Sequence, residues 1–410
     1  MKIGLIGEKL AHSYSALVHR EFGYEYTLRE VAQEQLADFV NSGELDAFNV
    51  TIPYKKAIIP MLDELSPEAE ELQSVNTVIK RNGRLIGYNT DYAGIEYMLK
   101  KAGIELNRRK VMILGSGGTS STAIALAKKN NAAEIVTVGR RGEVNYSNYH
   151  ILHSDAEVIF NATPVGMYPQ NGGRLVDLSL MPSLEGVVEV IYNPLNTALI
   201  LQAQELGKKY TEGLLLLVAQ AKFAKDLFFN EKSDDVIIDK VFAKLKQSIS
   251  NYVLVGMPSS GKSTKGRLLA ERTNRSFVDT DWLIERAAGK SIEHIFLDDG
   301  EEYFRNLESK VIAEVTKRTS QVIATGGGSI LRKENRDALK QNGIIIYIKR
   351  DIDRLDTKGR PLSRDKNTLE KLFVERSPIY TESANIMVNS ENIEECVNQI
   401  EERINEYFSY

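Results

Sequence analysis

The run Tyr252-Val253-Leu254-Val255-Gly256-Met257-Pro258-Ser259-Ser260-Gly261-Lys262-Ser263 joins a continuous apolar segment to a glycine loop ending in Lys-Ser. A short β-rich run closing on Gly-x-x-x-x-Gly-Lys-Ser reads as a buried strand, a phosphate-binding loop and the first turn of a helix. Backbone N–H groups of such a loop cradle phosphates, Lys262 reaches the β- and γ-phosphates, and the Ser263 hydroxyl suits Mg²⁺. Gly256, Ser259, Ser260, Gly261, Lys262, Ser263 and Thr264 are therefore the expected nucleotide contacts. The pattern identifies nucleotide binding and leaves the phosphoryl acceptor open.

Working outward from this loop, similar apolar runs recur at Val111–Leu114, Glu134–Val138, Val158–Phe160, Val187–Tyr192, Gln321–Ala324 and Ile344–Ile348. Each is read as a strand followed by turn residues and a helical pattern, which is parallel α/β architecture. The N-terminus, Met1 to Gly7, reads as a strand and a turn. A second glycine loop, Gly115-Ser116-Gly117-Gly118-Thr119-Ser120-Ser121-Thr122, follows the strand ending at Leu114. Small residues there let a pyrophosphate approach the N-terminus of the next helix. Taken alone, the loop is also readable as a plain strand-to-helix turn. The next strand ends in Gly139-Arg140-Arg141, where an NAD enzyme carries an acid for the ribose 2′-OH. Arginine suits the 2′-phosphate of NADP instead, the other reading being a solvated loop. Strand, loop, strand and arginine pair together point to a dinucleotide site built on Gly115, Gly117, Gly118, Thr119, Ser120, Arg140 and Arg141.

Two loops of different type call for two nucleotide-binding domains, and 410 residues exceed one ordinary core. Asp234 to Ser248 reads as an amphipathic helix and Tyr252 begins a new strand, so the boundary is expected at Ser248–Asn251. Apolar residues at 42% and charged residues at 26% are those of a soluble globular chain. A net charge of −4 gives no reason to expect nucleic-acid binding. The single cysteine, Cys396, excludes an intrachain disulfide. The N-terminus lacks the pattern of a signal peptide, and the most apolar run, Leu214 to Ala219, is too short to span a bilayer. The expectation is a cytoplasmic enzyme with no membrane or nucleic-acid partner; the sequence sets no oligomeric state.

Before the first glycine loop stand Ser13-Tyr14-Ser15, Asn49-Val50-Thr51-Ile52-Pro53-Tyr54-Lys55, Ser74-Val75-Asn76-Thr77 and Gly87-Tyr88-Asn89-Thr90-Asp91. After it come Asn161-Ala162-Thr163-Pro164-Val165-Gly166-Met167, Tyr192-Asn193-Pro194, and Gly213-Leu214 through Gln220-Ala221. In order and spacing these resemble shikimate dehydrogenases over residues 1 to about 248. The resemblance implies substrate contacts at Ser13, Ser15, Thr51, Lys55, Asn76, Asp91, Tyr192 and Gln220, a cofactor contact at Gly213, and acid/base roles for Lys55 and Asp91. Such roles are chemically sound, because reducing a ketone needs hydride on carbon and a proton on oxygen. Outside that context Lys55 reads as a solvated lysine and Asp91 as a helix cap. The family usually has Ala at positions 116 and 119, and Asn-Arg-Thr where Gly139-Arg140-Arg141 stands.

Downstream of the phosphate loop, Asp279-Thr280-Asp281, Phe304-Arg305 with Glu308, Gly326-Gly327-Gly328, Arg360-Pro361-Leu362 and Arg376 with Tyr380 appear in sequence. They resemble shikimate kinases over residues 251 to about 400. The resemblance implies that Asp279 helps hold Mg²⁺ with Ser263 and that Asp281 binds the reacting hydroxyl. It gives Arg305 and Arg376 the substrate carboxylate, with Gly327 and Gly328 letting backbone approach the substrate. Arg360 would reach the phosphates from a charged lid, Asp353 to Lys366. That segment is shorter before Arg360 than is common in the family, which leaves the adenine-stacking residue open, with Arg354 a candidate.

The expected fold is therefore α/β. A dehydrogenase, 1–248, has a substrate domain (1–100 plus 213–248) and a Rossmann-like NADP domain (101–212). A parallel P-loop kinase domain resembling nucleoside-monophosphate kinases follows at 251–410. The expected reactions are NADPH-dependent reduction of 3-dehydroshikimate to shikimate and ATP-dependent, Mg²⁺-assisted phosphorylation of shikimate. The alternatives are a quinate/shikimate dehydrogenase using NAD, or one half serving as a non-catalytic regulatory module. Nothing left over reads as a shared basic track, so no substrate channelling is expected.

Overall fold

The computed structural model describes residues 1–10, 13–354, 366–389 and 392–409, excepting the side chains of Arg354 and Lys366. The chain divides into two compact units, Met1–Tyr192 with Thr197–Leu245, and Asn193–Asn196 with Lys246–Tyr410.

The first unit holds two sheets. The strands of the first are β1 (Ile3–Gly7), β2 (Thr27–Glu30), β3 (Ala47–Val50), β4 (Glu64–Leu65), β5 (Thr77–Arg81) and β6 (Arg84–Tyr88), in the order β2-β1-β3-β5-β6-β4. β1 runs parallel to β2 and β3, whereas β5 is antiparallel to both β3 and β6. The sharp return between β5 and β6 is made by Asn82 and Gly83 at φ 51° and 81°, the left-handed pair that a two-residue hairpin needs. Ile6, Phe48, Val50, Tyr54, Ile58 and Val78 form one core of this lobe. The helix Thr90–Ala102 packs against the helix Gly213–Phe229. A Cβ at Gly94 would lie 2.8 Å from Leu216 Cδ1 and 3.2 Å from the Gln220 nitrogen, so the close crossing requires glycine.

The second sheet of this unit comprises β7 (Lys110–Leu114), β8 (Glu134–Val138), β9 (Val158–Asn161), β10 (Gly186–Glu189) and β11 (Lys209–Thr211), all parallel, in the order β11-β10-β9-β7-β8. Met112, Leu114, Val138, Ile159 and Val187 pack with the helix Ala198–Glu205. Two features differ from the sequence reading. The crossover from β9 to β10 contains the single 3₁₀ turn Leu178–Leu180 and no α-helix. Pro164, Gly166, Pro169, Gly172 and Gly173 break helical continuity there. The strand expected to reach Tyr192 ends at Glu189, because the Ile191 N–H turns back onto the Glu189 side chain at 3.0 Å.

The second unit is built on β12 (Asn251–Val255), β13 (Ser276–Asp279), β14 (Gln321–Ala324), β15 (Gly343–Lys349) and β16 (Ile386–Asn389), parallel throughout, in the order β13-β14-β12-β15-β16. Alternation along β12 sends Tyr252 and Leu254 into one core layer and Val253 and Val255 into the other. Helices cover both faces, as a doubly buried parallel sheet requires. The helix Val236–Ile249 ends just before β12 begins at Asn251. Among the described residues no helix is long and apolar enough to cross a membrane.

Candidate active sites

β3 delivers Thr51, Ile52 and Pro53 into the one-turn helix Tyr54–Ala57. Tyr54 is fully buried, with its hydroxyl donating to the Val31 carbonyl at 2.5 Å, and this pins the turn that carries Lys55. Lys55 Nζ lies 2.5 Å from Asp91 Oδ2. Asp91 sits in the first turn of the helix Thr90–Ala102, whose cap is Asn89. Its carboxylate is turned toward Lys55 and toward the Asn76 amide, which donates to Oδ1 at 2.9 Å. Neither the solvated-lysine nor the helix-cap reading describes this pair.

Thr51, Ile52, Pro53, Lys55 and Ser74 line one side of a cleft of about 700 Å³, and Gly115 to Thr119 with Thr163 line the other. The helix Gly118–Lys129 begins after Gly117 without a side-chain cap, leaving its first N–H groups and dipole directed at the loop. A Cβ at Gly117 would meet nothing within 4 Å, whereas one at Gly115, at φ 104°, would come within 2.8 Å of Thr163 Cγ2. A second hollow of about 920 Å³ runs along β8 and is lined by Ser116, Gly139, Arg140 and Arg141. Both arginines are exposed, and no ion pair engages either one among the described residues. An open, uncapped helix start beside two free guanidinium groups fits a dinucleotide carrying an extra phosphate. Ser120 is buried, and its hydroxyl has no partner among the described residues.

The other expected substrate groups lie in the same unit. The Ser13 hydroxyl donates to Ser15 Oγ at 3.1 Å, and the Tyr14 ring lies 5.4 Å from that of Tyr192. Gln220 is buried on the helix Gly213–Phe229, its amide donating to the Leu217 carbonyl at 2.8 Å. Gly213 starts that helix with its Cα against the backbone of Val190 and Ile191; a Cβ would stand 2.3 Å from the Val190 oxygen. Its glycine is thus required for close packing.

Sequence reasoning passed over Glu189. Its carboxylate is wholly buried and accepts from Asn161 Nδ2 at 2.9 and 3.1 Å, Thr197 Oγ1 at 2.9 Å and the Ile191 N–H. Burial pushes its pKa up to about 7, against the pull of these donors. Asn161 Oδ1 in turn accepts from the Thr163 hydroxyl at 2.7 Å, which fixes the loop facing Gly115. The only signal in the sequence was an acid inside an apolar run.

In the second unit Gly256, Ser259 and Gly261 hold φ of 149°, 64° and 83°, folding the loop so that the helix Lys262–Arg272 starts without a side-chain cap. Lys262 Nζ donates to the carbonyls of Gly256 and Met257 at 2.9 Å. Thr264 is exposed one residue beyond Ser263. The Ser263 hydroxyl is 2.6 Å from Asp279 Oδ2, while Asp279 Oδ1 caps the helix Thr280–Ala288 through the Asp281 N–H. This pair of oxygen donors suits Mg²⁺, which commonly takes one or two protein ligands and completes its shell with phosphates and water. Among the described residues no cluster of three His, Cys, Asp or Glu could hold a metal.

The glycine triplet packs closely against Asp281, Pro258 and Arg305. A Cβ at Gly326 would lie 2.6 Å from Asp281 Oδ1, one at Gly327 2.9 Å from the Pro258 ring, and one at Gly328 2.5 Å from Arg305 Nη1. Arg305 is buried and paired with Glu308 at 2.9 Å, and Glu308 also accepts from the Ser329 hydroxyl at 2.6 Å. The helix Lys366–Ser383 brings buried Arg376 and Tyr380 to the same place, the Tyr380 hydroxyl donating to the Gly327 carbonyl. Arg360 lies outside the described residues, as does the side chain of Arg354.

The first unit is thus an α/β oxidoreductase with a dinucleotide cleft facing an ammonium–carboxylate pair, and the second is a P-loop kinase for a small molecule. Residues 5–78 match the family model for the shikimate dehydrogenase substrate binding domain, and residues 258–405 that for shikimate kinase. A shikimate dehydrogenase (NADP(+)) of Clostridium perfringens is 31% identical over 264 residues, 59% of this chain and 97% of that protein. A chorismate mutase/shikimate 5-dehydrogenase fusion protein from Clostridium acetobutylicum is similar in structure, with a TM-score of 0.57 and 35% identity over 60% of this chain and 97% of that one. Shikimate 5-dehydrogenase from Thermus thermophilus, in complex with NADP(H) and shikimate, gives a TM-score of 0.53 at 26% identity, covering 60% and 99% of the two chains. The chain belongs to the shikimate dehydrogenase family and carries a shikimate kinase domain after it, making it a bifunctional enzyme.

Proposed function

We propose that the dehydrogenase, residues 1–248, reduces 3-dehydroshikimate to shikimate with NADPH, and that the kinase, residues 251–410, converts shikimate and ATP to shikimate 3-phosphate. The observation that carries the reading is the Lys55–Asp91 pair, 2.5 Å apart, whose Lys55 lines the cleft wall opposite the glycine loop. NADPH, when bound, would supply hydride for the carbonyl carbon; Lys55, held by Asp91, steadies the developing oxyanion and supplies its proton. Ser13, Ser15, Thr51, Asn76, Tyr192 and Gln220 surround the substrate, and residues 1–100 with 213–248 form its domain. Residues 101–212 bind NADP, with Arg140 and Arg141 facing the 2′-phosphate.

In the kinase Lys262 contacts the transferring phosphates, Ser263 and Asp279 hold Mg²⁺, and Asp281 orients the attacking hydroxyl. Arg305 and Arg376 take the carboxylate in the bidentate geometry that guanidinium favours. Arg360, outside the described residues, is the further phosphate contact that the family resemblance implies. The single cysteine, Cys396, is buried and free, in keeping with work in the cytoplasm.

The test is a two-part assay of the purified chain, following NADPH oxidation on 3-dehydroshikimate and ADP release on shikimate. Lys55→Ala lowers the first by about 10²- to 10⁴-fold and spares the second. Lys262→Ala does the reverse. Loss of both activities from either change in a folded protein would overturn the reading.

A further inference from the structure

Beneath the Lys55–Asp91 pair lies a buried line of hydrogen bonds that all point the same way. The Tyr26 hydroxyl donates to Asn49 Oδ1 at 2.7 Å, and Asn49 Nδ2 donates to Thr77 Oγ1 at 2.9 Å. The Thr77 hydroxyl donates to Asn76 Oδ1 at 3.0 Å, and Asn76 Nδ2 donates to Asp91 Oδ1 at 2.9 Å. Asn49 and Thr77 are direct partners across the antiparallel β3–β5 ladder, so the sheet register sets the middle of the line.

Backbone groups fix the sense of both amides. Asn49 Nδ2 also faces the Asn76 carbonyl at 3.1 Å, which can only accept, so that end of the amide must be the nitrogen. Asn76 Oδ1 faces the Thr90 N–H at 2.7 Å, which can only donate. Asn76 therefore presents its NH₂ to Asp91 and to Thr90 Oγ1, and both of its amide hydrogens have partners within the protein. Asn49, Asn76, Thr77 and Thr90 are all buried, where aligned bonds reinforce one another. At the far end, the Tyr26 ring stacks on buried His19 at 3.8 Å and 14°. Burial also raises the pKa of the Tyr26 phenol well above its ordinary value, keeping it a donor.

We propose that Tyr26 is a positioning residue for the Lys55–Asp91 pair, acting through Asn49, Thr77 and Asn76; the inference rests on the dehydrogenase reading given above. The line sets which face of the Asp91 carboxylate is occupied from below, leaving Oδ2 for Lys55. Tyr26 stays away from the substrate and supports the geometry of proton delivery.

Tyr26→Phe keeps the ring on His19 and removes only the hydroxyl. In the full chain it should lower kcat of the reductase about 2- to 13-fold, the equivalent of one net hydrogen bond, at unchanged KM for substrate and cofactor. Unchanged NADPH affinity reports that the first unit is folded, and the kinase activity of the same molecule normalises the amount of enzyme. Asn49→Leu breaks the same line, and the double variant should be no slower than Asn49→Leu alone. If Asn49→Leu does not fold, Thr77→Val serves in its place. Full kcat in Tyr26→Phe, a loss confined to KM, or full additivity with the second change would each overturn the proposal. Reductase activity surviving Lys55→Ala would instead sink the reading on which it rests, so the two failures are distinguishable.

Discussion

Glu189 offers a test that uses nothing but pH. Its carboxyl is wholly buried under the cleft loop and titrates near 7 rather than at its ordinary 4.5. The folded state therefore holds this proton over a window in which the unfolded chain has already released it. Stability from this group is complete below pH 4.5, falls as pH rises toward 7, and levels off above it. A shift of about 2.5 units corresponds to about 3 kcal/mol in full, and roughly 2.5 kcal/mol of that is lost between about pH 5 and pH 8. Glu189→Gln does not titrate, so it lacks this slope, whatever fixed offset its amide introduces against Asn161. For a unit of this size, each kcal/mol moves the melting temperature by about 2–4 °C. Melting the full chain at both pH values, with NADPH-binding loss reporting on the first unit, should show variant minus wild type growing by about 5–10 °C from pH 5 to pH 8. A difference that stays constant across that range would show that Glu189 is ionised throughout and that its donors outweigh burial.

Arg140→Ala should weaken NADPH by about 10- to 150-fold with little change for NADH, measured by steady-state comparison of the two cofactors. Equal effects on both would remove Arg140 from the 2′-phosphate. Gly328→Ala puts a methyl group 2.5 Å from the Arg305 guanidinium, which must swing away. The kinase KM for shikimate should rise about tenfold or more while the KM for ATP holds; an unchanged shikimate KM would show that Arg305 does not hold the carboxylate. In a coupled assay, the lag before shikimate 3-phosphate appears should be the same for the intact chain as for separate halves, cut near Asn251, at equal concentration. A shorter lag in the intact chain would establish channelling.

The two glycine loops were legible because their meaning is local. A strand, a few small residues and a helix start within a dozen positions, and backbone sterics allow few alternatives. Lys55 and Asp91 were legible through their motifs, although their 2.5 Å approach joins segments far apart in the chain. The mixed first sheet was not legible. Whether β5 lies antiparallel to β3 is decided by packing over long separations, and residue alternation looks the same either way. Val187 to Tyr192 looked like one strand because nothing in an apolar run signals that Glu189 will turn the next N–H onto its own side chain. Tyr26 carried no signal at all, being a common β-rich aromatic whose hydroxyl matters only through its partner on β3.

The helix Thr90–Ala102, which carries Asp91, crosses the helix Gly213–Phe229, which carries Gln220, at Gly94, and the chain between them runs for about 110 residues. Topologically the sheet β7 to β11 is an insertion between these two packed helices, and this bears on the order of folding. Closing an unstructured loop of that length costs about 4 kcal/mol of chain entropy. If β7 to β11 assemble first, Ala102 and Gly213 become the ends of an already compact body and most of that cost is gone before the helices meet. During synthesis the first hundred residues emerge without the helix that completes their lobe. Tyr24, Tyr26 and Ile79, which pack beside Phe228 in the finished protein, then wait uncovered until it arrives. The first sheet's core is thus completed late in folding, by a helix made after all of β7 to β11.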